Sequence, residues 1–348
     1  SGKVIYKTSF SSLFQEWITT EEALRVTRSF EFTLLVPMPK QSVVATLVLR
    51  DNTGKESSHT FTIDPQDVLI RDNSKIKPQP YTYIHKGGDS KECIDVAILA
   101  EGYTAEEMEL FMEDAKITAE EILSYEPFKS HSDKFNFIAV ASPSVDSNVS
   151  VPQQEAWRST AVGSNFMTFY MARYLTSGNV YAMYDLVTNI PCEHFVILAN
   201  TDTYGGGGIY NSYTLTTAHH RDFRPVVVHE FGHSFGGLGD EYFYETSDNN
   251  DEMHSLSHEP WEPNITTLVD FESKWADMVE PGIEMPTKVT AERSKNYTVG
   301  VYEGGGYRTK GIYRPTDVCR MRDNVAERFC PVCERALERV ILHQTVDK

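Results

Sequence analysis

Hydrophobic and polar positions alternate along the first eighty residues. In "SFEFTLLV" (29–36), Phe30, Phe32 and Leu34 are set against polar neighbours, and "SVVATLVL" (42–49) and "HTFTI" (59–63) flank the turn-forming "RDNTGKES" (50–57). Period-two alternation on both sides of a turn marks a hairpin with one buried and one wet face. The pattern predicts a small all-β sandwich over residues 1–80. It closes with the polar, proline-containing linker "NSKIKPQP" (73–80).

From about residue 90 the pattern changes. "CIDVAILAEGY" (93–103) is a continuous apolar run, as expected for a central strand covered on both faces. Thr104 with Glu107 forms a capping box, and Met108, Phe111, Met112, Ala115, Ala119 and Ile122 follow at helical spacing. "KFNFIAVAS" (134–142) and "HFVILAN" (194–200) read as further buried strands, and "NFMTFYMARYL" (165–175) and "VYAMYDLV" (180–187) as helices. Gly205 to Gly208 predict a mobile loop, Ile209 to Ala218 a strand, and "RPVVVHEFGH" (224–233) a helix with Pro225 in its first turn. Strands alternating with helices predict an α/β catalytic domain with a twisted mixed sheet over residues 81–348.

Composition leaves this picture intact. The chain has 348 residues, 40% hydrophobic and 24% charged, enough for two packed domains. The net charge of −18, with no run of Lys and Arg, excludes nucleic acid as a natural partner. No apolar run reaches the ~20 residues that cross a bilayer. The opening "SGKVIYKT" lacks the basic-then-apolar pattern of an export signal. Cys93, Cys192, Cys319, Cys330 and Cys333 are odd in number, so they cannot all pair within one chain.

The candidate chemistry lies in "VVVHEFGHSFGGLGDEY" (226–242). His229 and His233 stand at i and i+4, one turn apart on the same helix face, where both imidazoles can reach one Zn²⁺. Glu230 sits beside the metal position, where a carboxylate serves as general base. By residue-frequency arithmetic, His-Glu-x-x-His arises by chance only about 0.03 times in such a chain. Gly236, Gly237 and Gly239 end the helix and turn the chain, so that Asp240 or Glu241 brings back an oxygen ligand. Tyr242 is a candidate hydrogen-bond donor, with a packing role favoured. His219 and His220 read as surface or supporting groups, and "SDNNDE" (247–252) as a solvated acidic loop in preference to a Ca²⁺ site. Cys330 and Cys333 at CxxC spacing read as a disulfide or a packed thiol pair, because Cys319 is the one obvious third ligand for a second zinc.

"HEFGHSFGGLGDEY" closely resembles the IgA peptidase family of zinc metalloendopeptidases, which is metzincin-like. "CRMRD" (319–323) resembles a Met-turn with Met321 beneath the metal, and "FCPVCERAL" (329–337) and "EAWRSTAVGSNFMTF" (155–169) also resemble the family. The resemblance implies a metzincin-like fold with zinc ligands His229 and His233, general base and acid Glu230, and Met321 as a support that is not a ligand. The usual metzincin pattern puts its third ligand at the position of Gly239, so the expectation here is Asp240, with Glu241 in reserve. It also implies a protein or peptide substrate paired along the strand before the zinc helix, and an exported location whose signal lies outside this chain. The alternative is a surface binding protein with a silent metal site; Glu230 argues against it, because holding a metal needs no such carboxylate.

Overall fold

The continuous apolar runs of the second part of the chain become the middle of one six-stranded sheet. The computed structural model describes residues 2–51, 54–244 and 253–346. In chain order its elements begin with α1 (Phe14–Trp17), β1 (Val43–Arg50), β2 (Glu56–Ile63), β3 (Tyr81–Lys86), β4 (Ile94–Glu101) and α2 (Met108–Ile122). Then come β5 (Phe135–Val140), α3 (Val180–Leu186), β6 (His194–Ala199), β7 (Gly206–Ile209), β8 (Tyr213–Thr217) and α4 (Phe223–Gly236). The last are α5 (Ala291–Lys295), β9 (Tyr302–Gly305), β10 (Arg308–Arg314) and α6 (Pro331–Val346).

The sheet order is β3-β5-β4-β6-β8-β7, with β5, β4, β6 and β8 parallel and β3 and β7 antiparallel at the two edges. Every residue of β4 is buried. Its even positions, Val96 and Ile98 among them, pack with α2, α4 and α6, while Ala97 and Leu99 pack on the other face with Phe166, Leu175 and Met183. A strand covered on both faces has no use for polar alternation, which is why the run is unbroken. The capping box at Thr104 forms as expected, and α2 buries Phe111, Ala115, Ala119 and Ile122 against the sheet.

Three expectations are corrected. Among the described residues before Tyr81 there is one two-stranded hairpin, β1 with β2, and not two packed sheets. The alternation in β1 is present, yet Val44, Val48 and Phe61 stay exposed because no second sheet covers them. Phe30 and Phe32 join an aromatic cluster instead, Phe32 stacking on Phe10 at 4.8 Å and Phe30 meeting Phe14, Trp17 and Phe169. Residues 165–175 hold only a 3₁₀ turn at Thr168–Tyr170, with Met167, Phe169 and Tyr170 at positive φ. Their apolar side chains serve two places: Phe166 and Leu175 enter the core and Phe169 meets the amino-terminal cluster.

The third correction concerns the glycines. Gly206 to Gly208 form edge strand β7, and the strand that precedes the histidine helix, β8, is paired on both sides and so is closed to a substrate. A Cβ on Gly208 would run into the Glu230 carbonyl oxygen and lie 2.8 Å from His233 Cβ; one on Gly206 would lie 2.8 Å from Glu230 Oε1. Gly206 and Gly208 are there because α4 lies directly on β7, and Gly207 because Tyr174–Thr176 lies against the other face, so the requirement is space and not mobility. Gly208→Ala is therefore expected to cost about 1–3 kcal/mol or more. An unchanged melting temperature for that variant would contradict the packing of α4 on β7.

Candidate metal centre

Helix α4 carries the His229–His233 pair because Val226, Val227, Val228, Phe231 and Phe235 fasten its other sides to the core. Gly237 ends the helix in the left-handed conformation at φ 62°, its N–H donating to His233 O at 2.9 Å. The turn brings Asp240 back over the helix. His229 Nε2 and His233 Nε2 are 3.0 Å apart, and Asp240 Oδ1 lies 3.1 Å from the first and 3.2 Å from the second. Ligands about 2.1 Å from a tetrahedral ion stand about 3.4 Å from one another, so this triangle has the right size for one.

The protons decide what the triangle is for. His229 Nδ1 donates to Arg320 O at 3.0 Å and His233 Nδ1 to Leu238 O at 2.5 Å. A carbonyl oxygen only accepts, so each Nε2 faces Asp240, and in its neutral form each imidazole turns a bare lone pair there. Among the described residues Asp240 Oδ1 has no hydrogen-bond partner. Three electron-pair donors facing one another inside a protein repel unless a cation lies between them. The acid–base balance shows the same demand for positive charge. Burial opposes charge on His233, yet the Asp240 carboxylate pushes its pKa up to about 9. Burial likewise works against a charged Asp240, but His233 and His229 hold it well below its ordinary value.

Further groups fix this arrangement. Tyr307 Oη donates to Asp240 Oδ2, and Gly306 N donates to Asp240 O at 2.8 Å. Asn264, fully buried, clamps the return segment: its Oδ1 accepts from Gly239 N at 2.7 Å and its Nδ2 donates to Gly239 O at 2.9 Å. Met321 is buried beneath α4, where a Cβ on Gly232 would lie 2.8 Å from its Sδ. Glu241 turns away from the histidines and joins Cys319, Cys330 and Cys333.

The site opens into a cavity of about 770 Å³ lined by Glu16, Arg173, Gly206, Glu230, Tyr242 and Tyr307 among others. Burial raises the pKa of Glu230 above its ordinary 4.5, with His229 and His233 opposing the rise. The Tyr242 ring lies along His229, and its hydroxyl accepts from Arg173 at 3.4 Å. That is a packing and orienting position. Glu16 comes from the amino-terminal segment: burial pushes its pKa up to about 7, against the pull of a hydrogen bond from the Tyr174 hydroxyl. His219 is outside the site and bonds to Asp114 at 2.8 Å. The acidic segment 247–252 lies outside the described residues. Sequence reasoning missed Glu16, Arg173, Asn264 and Tyr307. They come from four distant parts of the chain and carry no local motif.

A family model described as IgA Peptidase M64 matches residues 82–298 and 288–341, and one described as Peptidase M64 N-terminus matches residues 1–61. No curated protein matches the chain.

Asp240→Ala is expected to weaken Zn²⁺ binding at the histidine pair by at least about 100-fold, and Tyr307→Phe by about 10-fold, since groups that orient ligands are worth about 10–100-fold. Competition with a chelator measures both. Equal affinity in wild type and Asp240→Ala would remove Asp240 from the ligand set.

Proposed function

The chain belongs to the IgA peptidase M64 family and is a peptidase, and from that premise we propose that it is a zinc-dependent endopeptidase with a metzincin-like site. The observation that carries this reading is the set of three lone-pair donors within 3.2 Å of one another, opening into a cavity beside the Glu230 carboxylate. His229, His233 and Asp240 would hold the ion through Nε2, Nε2 and Oδ1. Zn²⁺ so held supplies Lewis acidity, which polarises a carbonyl and acidifies water.

The chain's own residues do the rest. Glu230, as the carboxylate, takes a proton from the attacking water and delivers it to the amide nitrogen as the C–N bond breaks. The carbonyl carbon gains the hydroxyl, and no other reactant is needed. Burial suits Glu230 to this task, because a raised pKa makes it a stronger base than a free glutamate. Gly206 presents no side chain to the Glu230 carboxylate, so the two lie in contact. Arg173 brings a positive charge to the cavity wall, its guanidinium 5.8 Å from the Tyr242 ring centre. Met321 beneath α4 is read as the Met-turn support.

We place an extended peptide along β7, the edge of the sheet. At Gly206 that edge already meets the Tyr174–Leu175 backbone, and Ser11 N donates to Tyr210 O at 3.1 Å. Substrate would therefore enter along the Gly208–Ile209 side, facing Ser11, Glu16 and Thr20. We retain the division into 1–80 and 81–348, with the amino-terminal part helping to hold protein substrates, and we propose an exported protein. Among the described residues no helix is long and apolar enough to cross a membrane.

Glu230→Gln is expected to keep its metal and lose about 10²–10⁴-fold in kcat/KM on a protein or peptide substrate. Cleavage at the wild-type rate by the metal-loaded variant would take Glu230 out of the mechanism. Because Glu230 works only ionised and burial raises the pH at which it protonates, kcat/KM should fall on the acid side at a pH above 4.5. A rate that stays flat down to pH 4.5 would contradict this role.

A further inference from the structure

A second group of metal-ligating side chains lies behind the first. Glu241, Cys319, Cys330 and Cys333 are fully buried, and their ligand atoms all lie within 4.8 Å of one another. Cys333 Sγ is 3.1 Å and Cys330 Sγ 4.0 Å from Glu241 Oε1, and Cys319 Sγ is 3.8 Å from Cys333 Sγ. Around a tetrahedral ion with bonds of about 2.3 Å to sulfur and 2.0 Å to oxygen, sulfurs stand about 3.8 Å apart, and sulfur and oxygen about 3.5 Å apart. The observed separations bracket those values.

We propose that Glu241, Cys319, Cys330 and Cys333 form a second, structural Zn²⁺ site, distinct from the one at His229, His233 and Asp240. The inference does not rest on the peptidase reading. Three features of the cluster carry it.

First, the thiols are unbridged, and pairing any two would leave the third beside a buried carboxylate. Second, backbone N–H groups point at the sulfurs, as they do where thiolates are held for a metal. Met321 N and Cys330 N lie 3.4 Å and 3.3 Å from Cys319 Sγ, and Cys333 N lies 3.4 Å from Cys330 Sγ. Third, Glu241 Oε1 accepts from Asn264 at 2.9 Å, while Oε2 is buried with no hydrogen-bond partner among the described residues. The oxygen that faces the sulfurs is Oε1; with Oε2 left unsatisfied, a buried carboxylate beside three thiols is costly in a protein interior, and a divalent ion bound through it lowers that cost. Four protein ligands with no open position mark a site that holds structure and does no chemistry.

The position gives the ion a task. It would tie Glu241 to the Cys319 loop and the first turn of α6, both distant from it in sequence. Glu241 N donates to Met321 O at 2.9 Å, and the neighbouring Arg320 O holds the His229 Nδ1 proton. Asp240 and Glu241 are consecutive, so one dipeptide serves both sites. The inner ion fixes the loop that aims His229 and the residue that follows Asp240.

The test uses the full chain purified with its metal. Metal analysis is expected to find two zinc ions per chain in wild type and one in His229→Ala/His233→Ala, which leaves the cysteines untouched. Cobalt exchanged into that double variant is expected to give thiolate-to-cobalt charge-transfer absorption, lost in Cys330→Ser and weakened in Glu241→Gln. Since the double variant keeps every cysteine, the cobalt band stays readable even where Cys330→Ser fails to fold. Absence of the band in the double variant, no zinc retained by the double variant, or a disulfide among these cysteines by mass would each overturn the proposal. Failure of proteolysis alone would leave both counts and the band unchanged, so the two readings fail separately.

Discussion

Two imidazole protons given to two backbone carbonyls hold the structure of the site together. With His229 Nδ1 committed to Arg320 O and His233 Nδ1 to Leu238 O, both Nε2 lone pairs must turn toward Asp240. Once they do, a cluster of groups that calls for a positive charge at its centre stands at the floor of a large cavity. Each neighbouring element can be understood as meeting that constraint. Gly237 reverses the chain so that Leu238 can supply its carbonyl and Asp240 its oxygen. Asn264 and Tyr307 keep the reversed segment in place, and Met321 fills the space below.

The sheet exists in the form it does partly to serve that helix. α4 must lie close enough to β7 for Glu230 to face the cavity, and only glycine backbone leaves the space. A strand of glycines is intrinsically weak, costing entropy and offering no side chains to pack. It persists because β8 pairs with it on one side and the Tyr174–Leu175 backbone meets it on the other. The thiol and carboxylate cluster behind Asp240 provides the corresponding support from beneath.

Much of this was readable in the residues themselves. Buried strands such as 94–101 declare themselves through unbroken apolar runs, and α2 through its capping box and its spacing. The His229–His233 helix and its glycine stop are local, and so is the return of Asp240 within a few residues. What was not legible is what depends on partners distant in sequence. Whether the alternating Phe30 and Phe32 join a second sheet or an aromatic cluster is decided by Phe10, Trp17 and Phe169. Four glycines look mobile until the helix that crowds Gly206 and Gly208, and the residues 166–176 that crowd Gly205 and Gly207, are placed beside them. In the sequence Glu241 and Asp240 are alternatives for one site, and only the folded chain places Glu241 with three cysteines.

The most direct measurement is the anomalous diffraction of a crystal grown with zinc. The account predicts an ion about 2.0–2.1 Å from His229 Nε2, His233 Nε2 and Asp240 Oδ1, with no fourth protein ligand and its remaining position facing the cavity beside Glu230. An ion absent from that triangle at saturating zinc, or one enclosed there by four protein atoms, would contradict it.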